Sequence, residues 1–244
     1  MKNLSKKNLL VITHDYSSFT KNQIEGISRY FNKITVIVRY KPLAEISRIF
    51  PINSLVRSQK KNLIDMADLP NNISIIPSNL YYIRSDRSYK NLGEKHYKAV
   101  KKILEKNDIK FDIVHSNFTW SSGFAGSKIA KDYGVPFVVS CRGYDIYDLP
   151  FRDSDWRSKI VSVLESANGI ISVSRSNREC VRRLGIQRDV DIILNGFNSE
   201  SFCIRDMEES RNRLDFPQNK KIILSVGNQS EVKGHIYLIK AMKI

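Results

Sequence analysis

The sequence is poor in the residues that build metal sites and disulfide frameworks. Its 244 residues contain three cysteines, Cys141, Cys180 and Cys203, with no CxxC pair, and four histidines that lack ligand spacing to cysteine or carboxylate. We therefore predict no metal site, no disulfide framework and a reducing, cytoplasmic location. Cys141 lies near a predicted strand end. No sequence feature marks a base for it, so a small buried residue is a better interpretation than a nucleophile.

Several catalytic and targeting motifs are also missing. The chain contains no GxGxxG, no GxxxxGK[ST] and no GxSxG sequence. These absences weaken the case for a dinucleotide-binding enzyme or a P-loop NTPase, and they disfavour an α/β-hydrolase. No apolar run approaches the roughly 18 residues of a membrane helix. The apolar run at residues 9–12 is too short for a signal peptide and fits a buried strand.

Positive charge is in excess, because 40 lysines and arginines oppose 25 acidic residues for a formal net charge of +15. Nucleic acid, an anionic membrane surface and phosphorylated substrates would all be attracted to such a protein. The chain lacks basic-aromatic interleaving and any nucleic-acid motif, so we expect no nucleic-acid partner. Residues 40–72 mix prolines with basic and apolar residues. Such a loop is usually functional or partly helical, and it could rest on a membrane, although Pro51 interrupts any long amphipathic helix.

Apolar runs alternate with helical patterns through the first 196 residues. Runs typical of strands lie at 9–13, 34–38, 73–76, 113–114, 137–139, 169–173 and 191–194. Helical patterns lie at 20–31, 90–106, 121–133, 152–167 and 174–184, the first with Thr20 as a plausible N-cap. This alternation predicts an α/β fold with a Rossmann-like, doubly wound parallel sheet.

Residues 111–145 form the most informative stretch of the chain. A short strand, a helix closed by Gly134 and Pro136, and a second strand follow one another within it. Both strands run out into polar residues, and ligands of open α/β sheets bind beyond the carboxyl ends of strands. The functional interpretation therefore starts at residues 117–119 and 142–145.

The last part of the chain differs in character. Residues 197–220 resemble a linker, with Pro217 and many charges, and residues 221–226, 227–234 and 235–242 predict a strand, a glycine-bounded loop and a helix. This unit looks like the truncated start of a second Rossmann-like domain. A single βα unit cannot bury its own apolar faces, so we expect the chain to be a fragment with domains at 1–196 and 221–244.

Five segments in order resemble the retaining glycosyltransferases of family four. They read VITHDYSSFTKNQIEGISRYF, DIVHSNFTWSSGFAGSKIAKDYGVPFVVSCRGYDIY, ISVSRSNRECVRRLGI, DIILNGFNSESF and ILSVGNQSEVKGHIYLIKAM. The resemblance covers about 1–40 and 111–244, while 41–110 is unremarkable. It implies the GT-B fold, in which two Rossmann-like domains face each other across a cleft. The first domain would hold the acceptor and the second most of the nucleotide.

The resemblance implies transfer of a sugar from a nucleotide-sugar donor to a glycan, glycolipid or polysaccharide acceptor, with retention. Basic side chains and helix N-termini would neutralise the departing diphosphate, so no cofactor and no essential metal are expected. Lys233 matches the phosphate-binding lysine of the family, with Gly227 and Asn228 beside it in the sequence. Asn228 stands where many members have arginine. An exposed lysine at a helix start is the alternative interpretation of Lys233.

The histidine-glycine-x-aspartate stretch of the family reads Arg142, Gly143, Tyr144 and Asp145 here. Arg142 and Asp145 are expected at the acceptor and the reacting centre, where an arginine could hold a phosphate or carboxylate. A turn cap is an equally good interpretation of Asp145. The same resemblance places further residues on the acceptor side or in the cleft, namely Thr20, Gly143, Tyr144, Asn195 and Gly196, and the strand-end argument adds Asn117. For Asn195 and Gly196, a plain turn before a linker is the alternative.

The family's pair of donor-binding carboxylates is expected beyond residue 244. The chain is thus expected to be an incomplete, inactive portion of the enzyme, in the cytoplasm or peripheral at the cytoplasmic membrane face. A lipid-linked acceptor would suit the basic surface. The alternative function is that of a non-catalytic, truncated domain that binds only an acceptor or a partner.

Overall fold

The computed structural model describes residues 4–49, 53–56, 58–83, 85–197, 199–200, 202–229 and 231–243. The chain divides into two compact units, 1–196 and 197–244. The first unit contains a seven-stranded parallel sheet with strand order β3-β2-β1-β4-β5-β6-β7. The strands are β1 Asn8–Thr13, β2 Lys33–Tyr40, β3 Ile73–Asn79, β4 Ile113–Asn117, β5 Phe137–Cys141, β6 Gly169–Ser172 and β7 Val190–Ile192. The predicted Rossmann-like α/β fold is confirmed.

Helices connect successive strands of this sheet. The α-helices of the first unit are α1 Ser18–Ser28, α2 Asn53–Val56, α3 Lys60–Leu63, α4 Asp86–Lys90, α5 Leu92–Lys106, α6 Phe124–Tyr133, α7 Tyr144–Tyr147, α8 Ser154–Ser166 and α9 Arg175–Arg183. Short 3₁₀ segments occur at Leu4–Lys6, Pro42–Arg48 and Leu149–Phe151, and a π-helical turn at Thr119–Gly123 leads into α6.

Strands β1 and β2 are mostly apolar and buried because both faces of the sheet are covered. In β1, Leu10 and Ile12 belong to one buried cluster, while Leu9 and Val11 belong to another. Successive side chains of a strand point to opposite faces, so each pair supplies one of the two cores. Full burial of one such side chain stabilises the fold by about 1.5–3 kcal/mol.

Two helix termini test the predicted boundaries. Gly134 ends α6 in the left-handed region, at φ 64°, and its N–H donates to the carbonyl of Ala130. The predicted glycine cap is therefore confirmed. Helix α1 begins at Ser18 with Ser17 in the N-cap position, so Thr20 is not the N-cap. The extended backbone of Ser17 marks the boundary, and Thr20 lies in the first turn with its side chain buried.

Residues 40–72 are partly helical, as expected, and a few polar side chains organise them. Glu45 accepts hydrogen bonds from the Tyr40 hydroxyl and the Lys60 backbone N–H, both at 2.8 Å. Lys21 of α1 donates to Asp65 at 2.9 Å and to the carbonyl of Ala67 at 2.6 Å. These contacts tie the segment to the sheet and to α1. Pro51 lies outside the described residues.

The second unit contains α10 Met207–Arg213, a 3₁₀ turn at Glu231–Lys233 and α11 His235–Ala241. The helix expected at 235–242 is thus present, whereas the predicted linker contains a helix. The strand predicted at 221–226 is wrong, since these residues are irregular and exposed. A strand needs a hydrogen-bonded neighbour, and the described residues of 197–244 supply none. Similarly, β7 ends at Ile192, and residues 193–197 form neither the predicted strand end nor a turn.

None of the helices in the described ranges is both long enough and apolar enough to cross a membrane. The three cysteines are free, and Cys141 is buried. Burial and the nearby Asp145 carboxylate raise the pKa of the Cys141 thiol well above its ordinary value. Because the thiolate is the reactive form, Cys141 is a packing residue of the core.

Candidate functional site

The chain reverses its direction across the sheet between β1 and β4, which is where such folds form a ligand crevice. Two residues that follow these strands meet there. The rings of His14, after β1, and Phe118, after β4, stack with centroids 4.1 Å apart and planes inclined by 7°. Phe118 adopts a positive φ of 72°, which is uncommon for a bulky residue. The stack joins the two strand ends at the switch point.

His14 is held neutral. Burial lowers its pKa well below the ordinary value, and the charge of Arg39 and the nearby His96 lower it further. A hydrogen bond with the Trp120 backbone acts in the opposite direction. The Nε2 atom of His14 is buried and has no hydrogen-bond partner among the described residues. A neutral imidazole with one unused nitrogen is suited to a ligand hydroxyl.

Asp15 supplies a carboxylate beside this stack. Burial raises the pKa of Asp15, while hydrogen bonds from Thr20 and Ser17 and the charge of Arg142 lower it. The structure thus places the Thr20 side chain against Asp15. Thr20 and Arg142 therefore lie at the same edge of the sheet, because both interact with the Asp15 carboxylate. Asp15 was not among the site residues predicted from the sequence.

The Asp145 carboxylate holds the loop after β5 in shape. Its Oδ1 accepts from the backbone N–H of Gly143 at 2.7 Å and of Arg142 at 3.2 Å. Its Oδ2 accepts from the Thr119 N–H at 2.7 Å and from the Thr119 hydroxyl at 3.2 Å. The side chain is 0% exposed. Burial raises the pKa of Asp145, and these donors oppose the rise. The geometry favours a turn-holding role for Asp145 over direct contact with an acceptor.

Arg142 is the cation that this loop presents. Its Nη1 donates to Asn195 Oδ1 at 3.2 Å, across 53 residues of sequence. Burial lowers the pKa of Arg142, while the carboxylates of Asp15 and Asp145 raise it. The structure therefore brings together three predicted site residues, Arg142, Asp145 and Asn195, at the carboxyl edge. Gly196, the last residue of the first unit, is exposed.

Asn117 and Tyr144 complete the predicted set in the first unit. Asn117 is the last residue of β4 and is 0% exposed, and neither polar atom of its side-chain amide has a partner among the described residues. Tyr144 begins α7, and its hydroxyl forms a short hydrogen bond with the hydroxyl of Tyr89. Burial and Tyr89 raise the pKa of Tyr144, so it is protonated and remains a hydrogen-bonding group at neutral pH.

The predicted donor-binding residues occupy one loop of the second unit. Lys233 ends the 3₁₀ turn before α11, and Lys233, Gly227 and Asn228 are exposed. A Cβ atom at Gly227 would lie 3.6 Å from Lys233 Cγ and 3.3 Å from His235 Nε2. Gly227 therefore packs against the turn that carries Lys233. Ser225 Oγ and His235 Nδ1, 2.9 Å apart, close the base of the loop.

Four residues at this edge of the sheet were not predicted from the sequence, namely His14, Asp15, Phe118 and Arg39. The first two follow β1 directly, so the strand-end argument used for Asn117 would have found them. Phe118 lies within the stretch at 117–119 and was not named individually. Arg39 lies inside an apolar strand, and no sequence pattern marks it. Within the described ranges, no three His, Cys, Asp or Glu side chains are grouped so as to hold a metal ion.

An open parallel sheet with polar loops at its switch point, among them the loop of Arg142, is the arrangement of Rossmann-like domains. Comparison with known families narrows this class. The model of Glycosyltransferase Family 4 matches residues 55–201, more than half of the 244 residues. The chain belongs to glycosyltransferase family 4. The matched range includes the loops of Asn117, Arg142 and Asn195. It also includes residues 55–110, so the similarity to the family extends into the 41–110 region, where the sequence motifs showed none.

Two curated proteins are similar over part of their length. One is TuaC of Bacillus subtilis (strain 168), a glycosyltransferase assigned provisionally to teichuronic acid biosynthesis, which is 24% identical over 147 residues. The other is MJ1607 of Methanocaldococcus jannaschii, an uncharacterised glycosyltransferase, 31% identical over 144 residues. The matches cover 59% and 54% of this chain but 38% and 36% of those proteins. The chain thus spans well under half the length of these relatives.

Two solved structures resemble part of this chain. UDP-GlcNAc 2-epimerase from Methanocaldococcus jannaschii has a TM-score of 0.46 and 13% identity, over 78% of this chain and 46% of that one. Arabidopsis thaliana UGT89C1, complexed with UDP, has a TM-score of 0.43 and 13% identity, over 73% and 48%.

Proposed function

We propose that the protein is a sugar transferase whose first unit binds the acceptor and whose Lys233 loop contacts the diphosphate of a nucleotide-sugar. It transfers the sugar, with retention of anomeric configuration, to a glycan, glycolipid or polysaccharide. Membership of glycosyltransferase family 4 supports the reaction class. One structural observation supports the assignment of roles. The Arg142 Nη1 atom donates to Asn195 Oδ1 at 3.2 Å, and the guanidinium lies near the Asp15 carboxylate, at the carboxyl edge of the sheet.

The chemistry needed is stabilisation of a departing diphosphate and orientation of an acceptor hydroxyl. Arg142 offers a fixed fork of donors for an anionic group. Neutral His14, with its unpartnered Nε2, and the Asp15 carboxylate can orient hydroxyl groups. Asp145 acts as a positioning residue, because its four hydrogen bonds fix the backbone from which Arg142 projects. The mechanism requires no metal and no cofactor.

The protein is proposed to work in the cytoplasm, in peripheral contact with the anionic inner face of the membrane. Supporting this, the 3₁₀ segment Pro42–Arg48 and the residue after it expose Ile46 at 44% and Ile49 at 78% beside basic residues. Exposed apolar side chains flanked by lysine and arginine favour binding to anionic lipid. A lipid-linked acceptor would be reached from this position. Co-sedimentation with phosphatidylglycerol vesicles, absent with phosphatidylcholine vesicles, is the expected result.

Calorimetry of the purified 244-residue chain with UDP-glucose, UDP-N-acetylglucosamine and GDP-mannose tests the donor assignment. We expect micromolar binding of one of them, weakened at least tenfold by Lys233→Ala. Lys220→Ala, which removes another exposed lysine of the second unit, should leave binding unchanged. A folded chain that binds no nucleotide-sugar would overturn the donor role and favour a non-catalytic acceptor-binding domain. For an active sample, the anomeric coupling in the proton NMR spectrum of the product distinguishes retention from inversion.

A further inference from the structure

Arg39 is a cation near the carboxyl edge of the sheet, and its hydrogen-bond partners are hydroxyl groups. It is the last but one residue of β2, in register with Ser78 of β3. Its partners in the described part of the chain are hydroxyl groups, Ser121 Oγ at 3.4 Å and the phenol of Tyr89. No described carboxylate forms an ion pair with it within 4.0 Å. A largely buried cation without a counter-ion is unfavourable, so such sites favour an anion.

The described residues around Arg39 do not supply the missing negative charge. His14 and His96 are the nearby titratable side chains in the interior, and burial together with the Arg39 charge keeps both neutral, with the pKa of His96 lowered to about 3. The Nε2 atom of His96 is buried and has no hydrogen-bond partner among the described residues. The hydroxyl groups of Tyr82 and Tyr144 also lie near Arg39.

Arg39 lines a surface cavity of about 340 Å³, which we call the Arg39 pocket. Its walls include Arg39, Tyr82, Ser85, Tyr89, Tyr144 and Arg152. The acidic residue of the pocket, Asp86, is already engaged, because it accepts from Trp156 Nε1 at 2.9 Å and lies 3.4 Å from Lys90. The pocket is therefore concave, rich in hydroxyl groups and positively charged at Arg39.

The second arginine of the pocket differs from the first. Arg152 donates to the Asp148 carboxylate from Nε at 3.0 Å, and its Nη1 lies 3.7 Å from Asp86. Its charge is compensated within the protein. The Lys41 ammonium lies 4.9 Å from the centroid of the Tyr82 ring, which belongs to the pocket wall. Arg39 is thus the guanidinium in this pocket that a ligand would neutralise.

We infer that the Arg39 pocket binds the oxyanion, a phosphate or a carboxylate, of an acidic sugar acceptor. The inference rests on the proposed function, since it specifies the acceptor class of the first unit. Tyr144 links the pocket to the proposed reacting centre, because it lines the pocket and lies two residues from Arg142. A guanidinium binds an oxyanion through two parallel hydrogen bonds, and the tyrosine hydroxyls supply further contacts.

Binding of three probes to the purified chain tests the inference. Glucose 6-phosphate, glucuronate and glucose share one ring and differ in charge, so calorimetry separates the two oxyanion sources from a neutral sugar. We expect one or both acidic sugars to bind at least tenfold more tightly than glucose. Arg39→Gln should abolish that preference. Circular dichroism checks that this variant is folded, because Arg39 is mostly buried.

Two substitutions of Ser85, at the rim of the pocket, provide a second test in case the Arg39→Gln variant does not fold. Ser85 is exposed, lines the pocket and caps α4 by accepting from the Ser88 N–H at 3.2 Å. Aspartate and asparagine both preserve this cap. Ser85→Asp adds a negative charge and should weaken binding of the acidic sugar about threefold to tenfold, whereas Ser85→Asn should not.

Equal binding of glucose and its acidic analogues, or equal affinities of the two Ser85 variants, would overturn the inference. These failures are distinct from failure of the proposed function. Nucleotide-sugar binding that depends on Lys233, without a preference for acidic sugars, would remove the Arg39 assignment alone. Acidic-sugar binding without any nucleotide-sugar binding would instead overturn the proposed donor role of the Lys233 loop and leave the Arg39 assignment standing.

Discussion

Asp145 Oδ2 accepts a hydrogen bond from the backbone N–H of Thr119, 2.7 Å away and 26 residues earlier in the chain. The same carboxylate holds the N–H groups of Arg142 and Gly143. One buried side chain therefore connects the loops that follow β4 and β5. These loops carry Phe118 and Arg142, so the geometry of the crevice depends on this carboxylate.

Asp145→Asn should destabilise the first unit by about 1–3 kcal/mol. The amide keeps the size of the side chain but turns an NH₂ group toward backbone N–H donors, which leaves buried donors unsatisfied. Urea unfolding, followed by fluorescence of the buried Trp120 and Trp156, measures the free energy of unfolding of this unit. Asp148→Asn, which breaks the surface ion pair with Arg152, should cost less than about 1 kcal/mol. Equal effects of the two substitutions would refute the turn-holding role.

Stability should fall steeply as the pH is lowered from 7 to 5. Burial lowers the pKa of His14 well below its ordinary value, that of His96 to about 3 and that of His115 to about 4. Because these histidine pKa values are lowered in the folded state, the unfolded chain binds more protons than the folded chain below about pH 6.5. The free energy of unfolding is therefore highest above that pH and decreases as the pH falls. Each histidine should cost about 2 kcal/mol by pH 5. The raised pKa values of Asp15 and Asp145 act in the opposite sense at more acidic pH.

Urea unfolding at successive pH values gives the slope of the unfolding free energy against pH, which checks this dependence. His115 Nε2 lies 2.8 Å from Ser140 Oγ, and glutamine at this position can keep that hydrogen bond. His115→Gln should therefore reduce the slope by about one proton without removing the contact. His235→Gln lies in the second unit and should not alter the unfolding of the first. A slope that is the same for wild type and His115→Gln would mean that His115 is not held neutral.

Two glycines should respond to alanine with opposite signs. A Cβ atom at Gly126, in α6, would lie 2.2 Å from Ser116 Oγ and 2.9 Å from the Phe137 ring, so Gly126→Ala should destabilise by about 1–3 kcal/mol. Gly26, in α1, has nothing within 4 Å of that position, so Gly26→Ala should stabilise by about 0.5–1 kcal/mol. Both are measured by urea unfolding. Destabilisation by Gly26→Ala would contradict the helical environment assigned to it.

The elements that were predicted correctly are those that short-range sequence patterns specify. The alternation of apolar runs and helical patterns predicted the parallel sheet, because burial on both faces forces near-continuous apolar strands. The cap at Gly134 was also predictable, since the left-handed conformation favours glycine. The strand at 221–226 failed for the converse reason: its apolar pattern is local, but its formation depends on a partner strand.

The site was only partly predictable because its contacts are distant in sequence. Strand-end polarity pointed to Asn117, Arg142 and Asp145, and the structure brings the last two into one loop system. The pairing of Asp145 with Thr119 depends on the register of β4 and β5, which no local pattern specifies. Arg39 stands out because no described carboxylate forms an ion pair with it, and this can be recognised only in the folded chain.

Removal of the Arg142 charge should raise the pKa of Asp15. Asp15 is partly buried, which raises its pKa, and Arg142 is one of the groups that lower it. Arg142→Gln should therefore move the carboxyl titration of Asp15 to higher pH, while Arg142→Lys should move it less because the charge remains. Carbon-detected NMR titration of the Asp15 carboxyl carbon measures the shift. Arg152→Gln, whose ion pair is with Asp148, is the control that should leave Asp15 unchanged.

The same variants connect this electrostatic coupling to function. Because Arg142 offers two parallel donors to an anion and lysine offers a point charge, Arg142→Lys should weaken transfer or substrate binding by about tenfold, and Arg142→Gln by about a hundredfold. The Asp15 titration separates the two effects, since a lysine that preserves the pKa but not activity identifies the fork of donors as the functional element. Full activity in Arg142→Gln would exclude Arg142 from the reacting centre.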